Sequence, residues 1–237
     1  MKHRIEAVVT DIEGTTTPIA FVHDVLFPFA RQRLAEFCRA QANDPAVAAA
    51  LAQARDLAAQ PDLDNARTVE LLLNWMSEDR KAGPLKTLQG LIWKSGYEVG
   101  VLQGQIYPDA AEELRRWQAR GLPLYVYSSG SEEAQRLIFG YSDKGDLRPL
   151  FRGYFDTRVG AKVEEGSYRA IADAIRIDPA AILFLTDHAG EVAASLAAGY
   201  QVVRLDRSLP LEHFEADAAS AVAGSFSVVE TQLSPGA

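Results

Sequence analysis

The sequence predicts an α/β protein, a parallel sheet interrupted by an all-helical insertion. Three observations predict it. An apolar run, Ala7-Val8-Val9, stops abruptly at a carboxylate, Asp11, and short β-branched runs without alternation suit strands of a sheet covered on both faces. Similar runs recur at Leu122–Ser128, Ala181–Leu185 and Tyr200–Leu205, with helical patterns between them, as βαβ units require. Between the first run and the second lies a long succession of helical patterns with no strand among them, which does not belong inside a regular crossover.

The first stretch, Ile5 to Pro18, reads IEAVVTDIEGTTTP. Ligand chemistry in open α/β sheets sits just beyond the carboxyl ends of the strands. Asp11 therefore stands at a reactive edge, with Gly14 letting the backbone turn tightly above it. Taken alone, the stretch also fits an ordinary turn in which Asp11 caps the next helix. After Pro18 the pattern becomes helical. Asp24 is placed to cap a helix carrying Leu26, Phe29, Ala30, Leu34 and Phe37, with Pro28 near its first turn. Asp44-Pro45 opens an alanine-rich helix that ends before Pro61. A third helix bears Val69, Leu72, Leu73 and Met76 and is expected to close at Gly83-Pro84; a fourth carries Leu85, Leu88, Leu91, Ile92 and Trp93 towards Gly100. Residues 19–103 are accordingly read as a helical cap domain, and residues 1–18 with 104–237 as the core.

Strand and helix then alternate. Asp109 to Arg120 reads as a helix with Gly121 at its C-cap, followed by the Leu122–Ser128 strand. Ser131 caps a helix with Glu132 and Glu133 in its positive first turn. A short strand is expected at Tyr154-Phe155, then a helix over Ser167–Arg176. Ala181–Leu185 is the most hydrophobic strand and ends at Thr186-Asp187. Glu191 to Ala198 is a helix stopped by Gly199, and Tyr200–Leu205 a further strand. Phe226–Val229 reads as a late edge strand, and Ser234-Pro-Gly-Ala as a frayed end.

With 237 residues, 48% of them hydrophobic, the chain can bury one good-sized core, or a core and a smaller domain. It carries 24 basic and 32 acidic residues, a net charge of −8. No dense basic patch is present, which argues against a nucleic-acid partner. An acidic protein that takes an anionic substrate needs a local cation to do so. The single cysteine, Cys38, sits at helical spacing with Leu34 and Phe37 and reads as a small core residue. Thr10-Asp11 cuts the first apolar run too short for a signal peptide, and no apolar segment is long enough to cross a bilayer. A cytoplasmic monomer without a membrane partner is the expectation.

Four segments of the core end in polar groups that suit phosphoryl chemistry: Asp11 and Glu13 after the first strand, Ser128 and Ser129 after the second, Lys162 after Thr157-Arg-Val-Gly-Ala, and Asp187 after Thr186. In a parallel sheet these ends point the same way. Each has a plainer alternative: a helix start for Ser128-Ser129, a solvated lysine, a cap for Asp187. Together, in chain order at successive strand ends, they assign Asp11 as a nucleophile on phosphorus. A carboxylate facing a phosphate dianion is repelled by about 4 kcal/mol per unit-charge pair at about 4 Å and a dielectric near 20, roughly 8 kcal/mol in all. One lysine does not remove that, whereas a divalent cation does. Hard oxygen donors of this kind suit Mg²⁺, held by Asp11 and Asp187 with the Glu13 backbone carbonyl as a third donor. Lys162 neutralises the phosphate and orients Asp11, and the Ser128 or Ser129 hydroxyl holds phosphate oxygens. Glu13 gives a proton to the leaving group and takes one from the attacking water, provided that burial raises its pKa.

At this point the chain resembles the haloacid dehalogenase superfamily of phosphohydrolases, whose nucleophile motif is D-x-D/E-G-T. The segments DIEGTTTPIAFVHDVLFPFA, LQGLIWKSGYEVG, VYSSGSEEAQRLIFG and FDTRVGAKVEEGSY are similar to its acireductone synthase (enolase-phosphatase) branch, and the similarity runs from about Val8 to about Asp206. The resemblance implies a Rossmann-like core with a helical cap inserted after the first motif. It implies one Mg²⁺ per chain, and 2,3-diketo-5-methylthiopentyl 1-phosphate as the small phosphorylated metabolite, enolised and then dephosphorylated in methionine salvage. By similarity Asp11, Glu13 and Asp187 sit at the metal, and Ser128, Ser129 and Lys162 bind substrate. The last motif departs from the superfamily: Thr186 stands where a glycine is common, and the second acidic position is at best Glu191. Glu13 and His23 are both candidates for the enolisation base. Trp75, Trp93, Tyr97 and Phe21 are split between lining a pocket for the methylthio tail and forming the cap core, the latter favoured. Lys86 and Lys94 are either phosphate contacts or solvated. Competing readings are a capped phosphatase for another small metabolite, such as phosphoglycolate or a sugar phosphate, and a phosphoacceptor signalling module. A dinucleotide enzyme is disfavoured because no G-x-G-x-x-G follows a strand.

Overall fold

A computed structural model describes residues 4–216 and 220–233. The chain divides into two compact units, one running to Ile19 and resuming at Gly104, the other spanning Ala20–Gln103. The first unit holds a seven-stranded sheet: β1 (Ala7–Thr10), β2 (Leu124–Tyr127), β3 (Phe151–Phe155), β4 (Ile182–Thr186), β5 (Gln201–Leu205), β6 (Phe214–Ala216) and β7 (Ser220–Ala223). Their spatial order is β3-β2-β1-β4-β5-β7-β6, parallel throughout except for β6 against β7. The apolar runs became strands because both of their faces are covered: every residue of β1 and of β4 is buried. On one face Val9, Phe184 and Val202 pack with Tyr168, Ile171 and Ala194, from helices α7 (Glu165–Ile175) and α8 (Ala189–Ala197).

The second unit is all helical: α1 (Phe27–Ala40), α2 (Pro45–Leu57), α3 (Asn65–Ser77) and α4 (Gly83–Glu98). Its core is apolar, built from Leu34, Leu51, Leu72, Trp75, Leu88 and Ile92 among others. Asp44 caps α2 as expected, accepting from the N–H groups of Ala46 and Val47. Two other expected boundaries are corrected. Asp24 is no cap, because the helix is already running at Ile19 and takes a π turn over Phe21–Leu26, where Phe27 N–H donates to Val22. That wider turn lies directly before Pro28, whose ring crowds the carbonyl four residues back in a regular helix. The third helix ends at Ser77 and not at Gly83-Pro84. Asp79 adopts a left-handed conformation (φ +50°) and Arg80 N–H closes back on Trp75 at 2.9 Å, a helix stop that Asp tolerates. Gly83-Pro84 instead opens α4, with proline in the first turn.

In the first unit, α5 (Pro108–Ala119) and α6 (Glu132–Gly140) lie close to their expected bounds, and Ser131 caps α6. Phe226–Val229 is not an edge strand but the start of α9 (Phe226–Leu233). Its valines favour a strand locally, yet Phe226 and Val229, three apart and both buried, share a helical face. The Phe226 ring stacks on Trp117 of α5 at 5.6 Å, and its N–H donates to the Asp109 carboxylate at 2.8 Å. The expected frayed end, 234–237, lies outside the described residues.

Candidate active site

From β1 the chain proceeds to β2 on one side, and after β3 it returns to β4 on the other. The strand order therefore reverses at β1, and the crevice beyond the carboxyl ends of β1 and β4 is the position where such sheets bind ligands. Register places Thr10 beside Val126 of β2 and Leu185 of β4. Asp11 thus leaves the sheet between Tyr127 and Thr186, and its N–H still donates to the Leu185 carbonyl at 2.8 Å.

The loop after Asp11 is wound on one acceptor. The Ile12 carbonyl receives the N–H groups of Thr15, Thr16 and Thr17 at 3.2, 2.9 and 2.8 Å, while Gly14 N–H donates to Thr17 at 2.8 Å. Glu13 rides on this turn, half-buried and bridged to Thr17. Gly14 has φ +71°, and a Cβ there would lie 2.6 Å from the Asp187 carboxyl carbon. Only glycine lets that carboxylate seat on the loop.

Lys162 is brought onto Asp11. Its Nζ lies 2.6 Å from Asp11 Oδ1 and 2.9 Å from Glu191 Oε2, with all three side chains at most 10% exposed. Glu191 Oε2 also accepts from the Thr186 hydroxyl at 2.6 Å. Burial raises the Asp11 pKa to about 6, against the opposing pull of Lys162 and with a further upward push from Glu191. Burial alone would lower the Lys162 pKa, but the Asp11 and Glu191 carboxylates overcome it and hold the amine protonated. Asp187 is raised by burial and then by the negative charge of Asp11.

Ser128 and Ser129 stand at the end of the neighbouring strand. Ser128 N–H donates to Phe155 at 3.1 Å, and its hydroxyl accepts from Gly130 N–H at 3.3 Å within its own loop. Gln135 ties this loop down, donating to the carbonyls of Gly130 and Phe155, both at 2.8 Å. Asp156 supports it too, accepting from Arg158 and from Glu132 N–H.

The geometry thus joins Asp11 to Lys162, sets Asp187 against the Gly14 turn that carries Glu13, and puts Ser128 and Ser129 on the adjacent strand end. Glu191 is more than a second acidic position, since it clasps the lysine; its spacing four residues after Asp187 was the available signal. The contacts of Tyr127, Ser167 and Tyr168 to the Lys162 loop were not anticipated. In the helical unit, Phe21, Trp75 and Tyr97 are buried, and Trp93 donates to the Leu26 carbonyl at 2.8 Å. His23 lies exposed on the π turn, edge-on to Phe27. Cys38 is buried and its thiol pushed up to about 11, a core residue and no nucleophile.

The donor set fits a hard divalent cation. Asp11 and Asp187, two carboxylates beside the turn that carries the Glu13 carbonyl, are hard oxygen donors, and Mg²⁺ asks for only one or two carboxylates, completing its shell with waters and carbonyls. Among the described residues no group of three or more histidine, cysteine, aspartate or glutamate side chains is arranged to hold a metal ion. No helix among them is long and apolar enough to cross a membrane.

A parallel sheet with a strand-end carboxylate, a buried lysine and a second strand-end aspartate defines a phosphoryl-transfer or related hydrolase. The chain belongs to the haloacid dehalogenase-like hydrolase family, whose profile matches residues 5–199. It is 61% identical over 232 residues to a protein of Parvibaculum lavamentivorans named Enolase-phosphatase E1, covering 98% of this chain and 97% of that one. It is 54% identical to the Pseudomonas aeruginosa protein of the same name, over 86% of this chain and 90% of that one. Among solved structures, the UTR4 protein of Saccharomyces cerevisiae is similar with a TM-score of 0.74 and 31% identity, over 87% of this chain and 93% of the yeast chain. A dehalogenase with an intermediate complex, at 18% identity and a TM-score of 0.59 and with full coverage of both chains, shares the fold.

Proposed function

We propose that this chain is an enolase-phosphatase that converts 2,3-diketo-5-methylthiopentyl 1-phosphate to the acireductone 1,2-dihydroxy-3-keto-5-methylthiopentene and phosphate, in methionine salvage. The observation that carries the reaction type is the buried 2.6 Å contact between Lys162 and Asp11 at the switch point of the sheet. A protonated lysine there holds the carboxylate and offers positive charge to an incoming phosphoryl group. The substrate follows from the relatives named Enolase-phosphatase E1.

Enzymes of this family are generally Mg²⁺-dependent, and the Asp11 and Asp187 carboxylates with the Glu13 carbonyl are the donors that would hold the ion. When bound it supplies the positive charge that lets a carboxylate approach a phosphate ester and steadies the enediolate. The residues do the rest. Glu13, on the turn after Asp11, is the base that removes the proton beside the carbonyl. Asp11 then attacks phosphorus, forming an aspartyl phosphate as the P–O bond to the enol breaks, and Glu13 gives that oxygen its proton. In the second half Glu13 takes a proton from water, the water oxygen bonds to phosphorus, and Asp11 is released as a carboxylate. Ser128 and Ser129 hold phosphoryl oxygens, and Lys162 balances their charge. The enzyme acts as a cytoplasmic monomer on a small metabolite, and its one thiol, buried and unpaired in the helical unit, suits a reducing compartment.

The test is direct. Purified protein with Mg²⁺ and the diketone phosphate is expected to develop enediol absorbance and release phosphate, and excess chelator is expected to stop both. Preference for phosphoglycolate or a sugar phosphate, with no enediol signal, rejects the assignment. A long-lived phosphorylated Asp11 without steady turnover makes the protein a signalling module instead.

A further inference from the structure

Lys162 belongs to no regular element: residues 156–164 between β3 and α7 are neither helix nor strand. Yet its amine meets two carboxylates at bonding distance. A lysine on a flexible stem is only as well aimed as the backbone that carries it, and a ladder of main-chain bonds is not what fixes this one.

Three consecutive carbonyls of the loop each accept a side-chain hydroxyl. Tyr127 donates to Gly160 at 3.1 Å, Ser167 to Ala161 at 2.7 Å and Tyr168 to Lys162 at 2.6 Å. The donors come from two rigid elements, Tyr127 from β2 and the other two from the first turns of α7. All three are buried. The Tyr168 ring is wedged edge-on against Tyr127 at 5.6 Å, Phe184 at 5.1 Å and Tyr200 at 5.6 Å, so its hydroxyl cannot swing away. Gly160 has φ +133° and is backed onto Ser167: a Cβ there would sit 3.2 Å from the serine Cβ and overlap its hydroxyl. The Tyr127 ring also lies 5.7 Å from the Lys162 ammonium, so the side chain that bonds the Gly160 carbonyl also faces the amine.

Phenylalanine would fill the two tyrosine sites equally well, and a buried hydroxyl destabilises unless it is bonded. Neighbouring Tyr200 supplies the contrast, since its hydroxyl bonds the Tyr168 carbonyl inside α7 at 2.8 Å and leaves the loop alone.

We infer that Tyr127, Ser167 and Tyr168 are positioning residues that hold the main chain of 160–162 so that the Lys162 ammonium meets Asp11 and the phosphoryl group. This rests on the proposed role of Lys162.

The test compares Lys162→Ala, Tyr168→Phe, Ser167→Ala and Tyr200→Phe in the full-length enzyme with Mg²⁺ and the diketone phosphate. Orthovanadate serves as the phosphate mimic. Lys162→Ala is expected to lose about 10³-fold in kcat; wild-type turnover there would overturn the role of Lys162 itself, and the inference with it. Tyr168→Phe and Ser167→Ala are each expected to lower kcat about tenfold with KM changed less than about twofold, whereas Tyr200→Phe lowers the melting temperature but leaves kcat within about twofold. Tyr168→Phe is also expected to weaken vanadate binding in the wild-type background and not in the Lys162→Ala background, because a residue that acts through the amine has nothing to act on once it is gone. Wild-type kcat in both Tyr168→Phe and Ser167→Ala, or an equal loss of vanadate affinity in the Lys162→Ala background, overturns the inference while leaving Lys162 in place.

Discussion

The two units bury different kinds of side chain. Among the described residues of the helical unit, the buried polar groups are neutral ones such as Thr68, Gln89 and the Tyr97 hydroxyl, and no charged side chain is buried. In the sheet unit Asp11, Lys162 and Glu191 are packed into the interior at the end of β1, with Thr15, Thr16 and Thr17 around the turn. A helical core of Leu, Ala and Trp is held by transfer from water and by close packing. Three ionised groups removed from water are not there for stability, since desolvation of buried ions offsets much of their mutual attraction. Buried charge at a strand end therefore separates the unit that carries the candidate site from the unit built as an ordinary bundle. It follows that substitutions in one should change rate, and in the other stability.

The sharpest separation is expected from Asp11→Asn, with phosphate release down on the order of 10⁴-fold or more in a protein that still melts cooperatively. Since burial raises the Asp11 pKa to about 6, the fold is relieved when this carboxyl is protonated. The metal-free wild type thus loses stability as pH rises from the ordinary aspartate range through about 6, and Asp11→Asn removes that part of the dependence. Melting curves across this window check the sign, and a wild type that gains on Asp11→Asn as pH rises would contradict it. Glu13→Gln is expected to slow turnover by roughly 10²–10³-fold and to leave phosphoenzyme trapped, with Mg²⁺ binding retained. Acid quench and mass measurement of the aspartyl phosphate decide it, and full activity removes the acid–base role. On the other side, Leu72→Ala in the helical core is expected to destabilise by about 3 kcal/mol, with kcat per folded molecule within about twofold. A large fall in kcat at intact stability would erase the contrast. The smallest effect is expected at Asp156. Burial would raise its pKa, but Arg158 outweighs that and the value is lowered. Its contribution to stability is therefore present above the ordinary aspartate range and lost as pH falls through the lowered value. Asp156→Asn should melt slightly below wild type at neutral pH, the two converging in acid, and identical melting at neutral pH would discard the contribution.

Much of this was legible in the residues. Buried parallel strands announce themselves as unbroken apolar runs, so β1, β2, β4 and β5 were found close to their bounds, and the polar residues that end β1, β2 and β4 marked the candidate site. The misreadings have physical causes. Phe226–Val229 carries strand-forming valines, and only Trp117 and Asp109, more than a hundred residues away, make it a helix. Gly83-Pro84 punctuates in either direction, and the true stop depends on Asp79 accepting a left-handed backbone. Strands β6 and β7 are too short and too plain in composition to stand out. Within the candidate site, residue types singled out Asp11, Lys162 and Asp187, which the structure gathers at neighbouring strand ends. Which acid would clasp the lysine, and which hydroxyls would hold its loop, depends on tertiary approach that no local pattern encodes.

The chain leaves the sheet unit after Ile19 and comes back at Gly104, and Tyr107 N–H then donates to the Thr16 carbonyl at 2.9 Å. The two ends of the excursion are thus stitched together beside the turn that follows Asp11, and what lies between them is topologically a side loop. Closing a longer or shorter loop at that stitch changes the entropy only logarithmically. The sheet unit can therefore tolerate exchange of the inserted segment while its own strands keep their pairing.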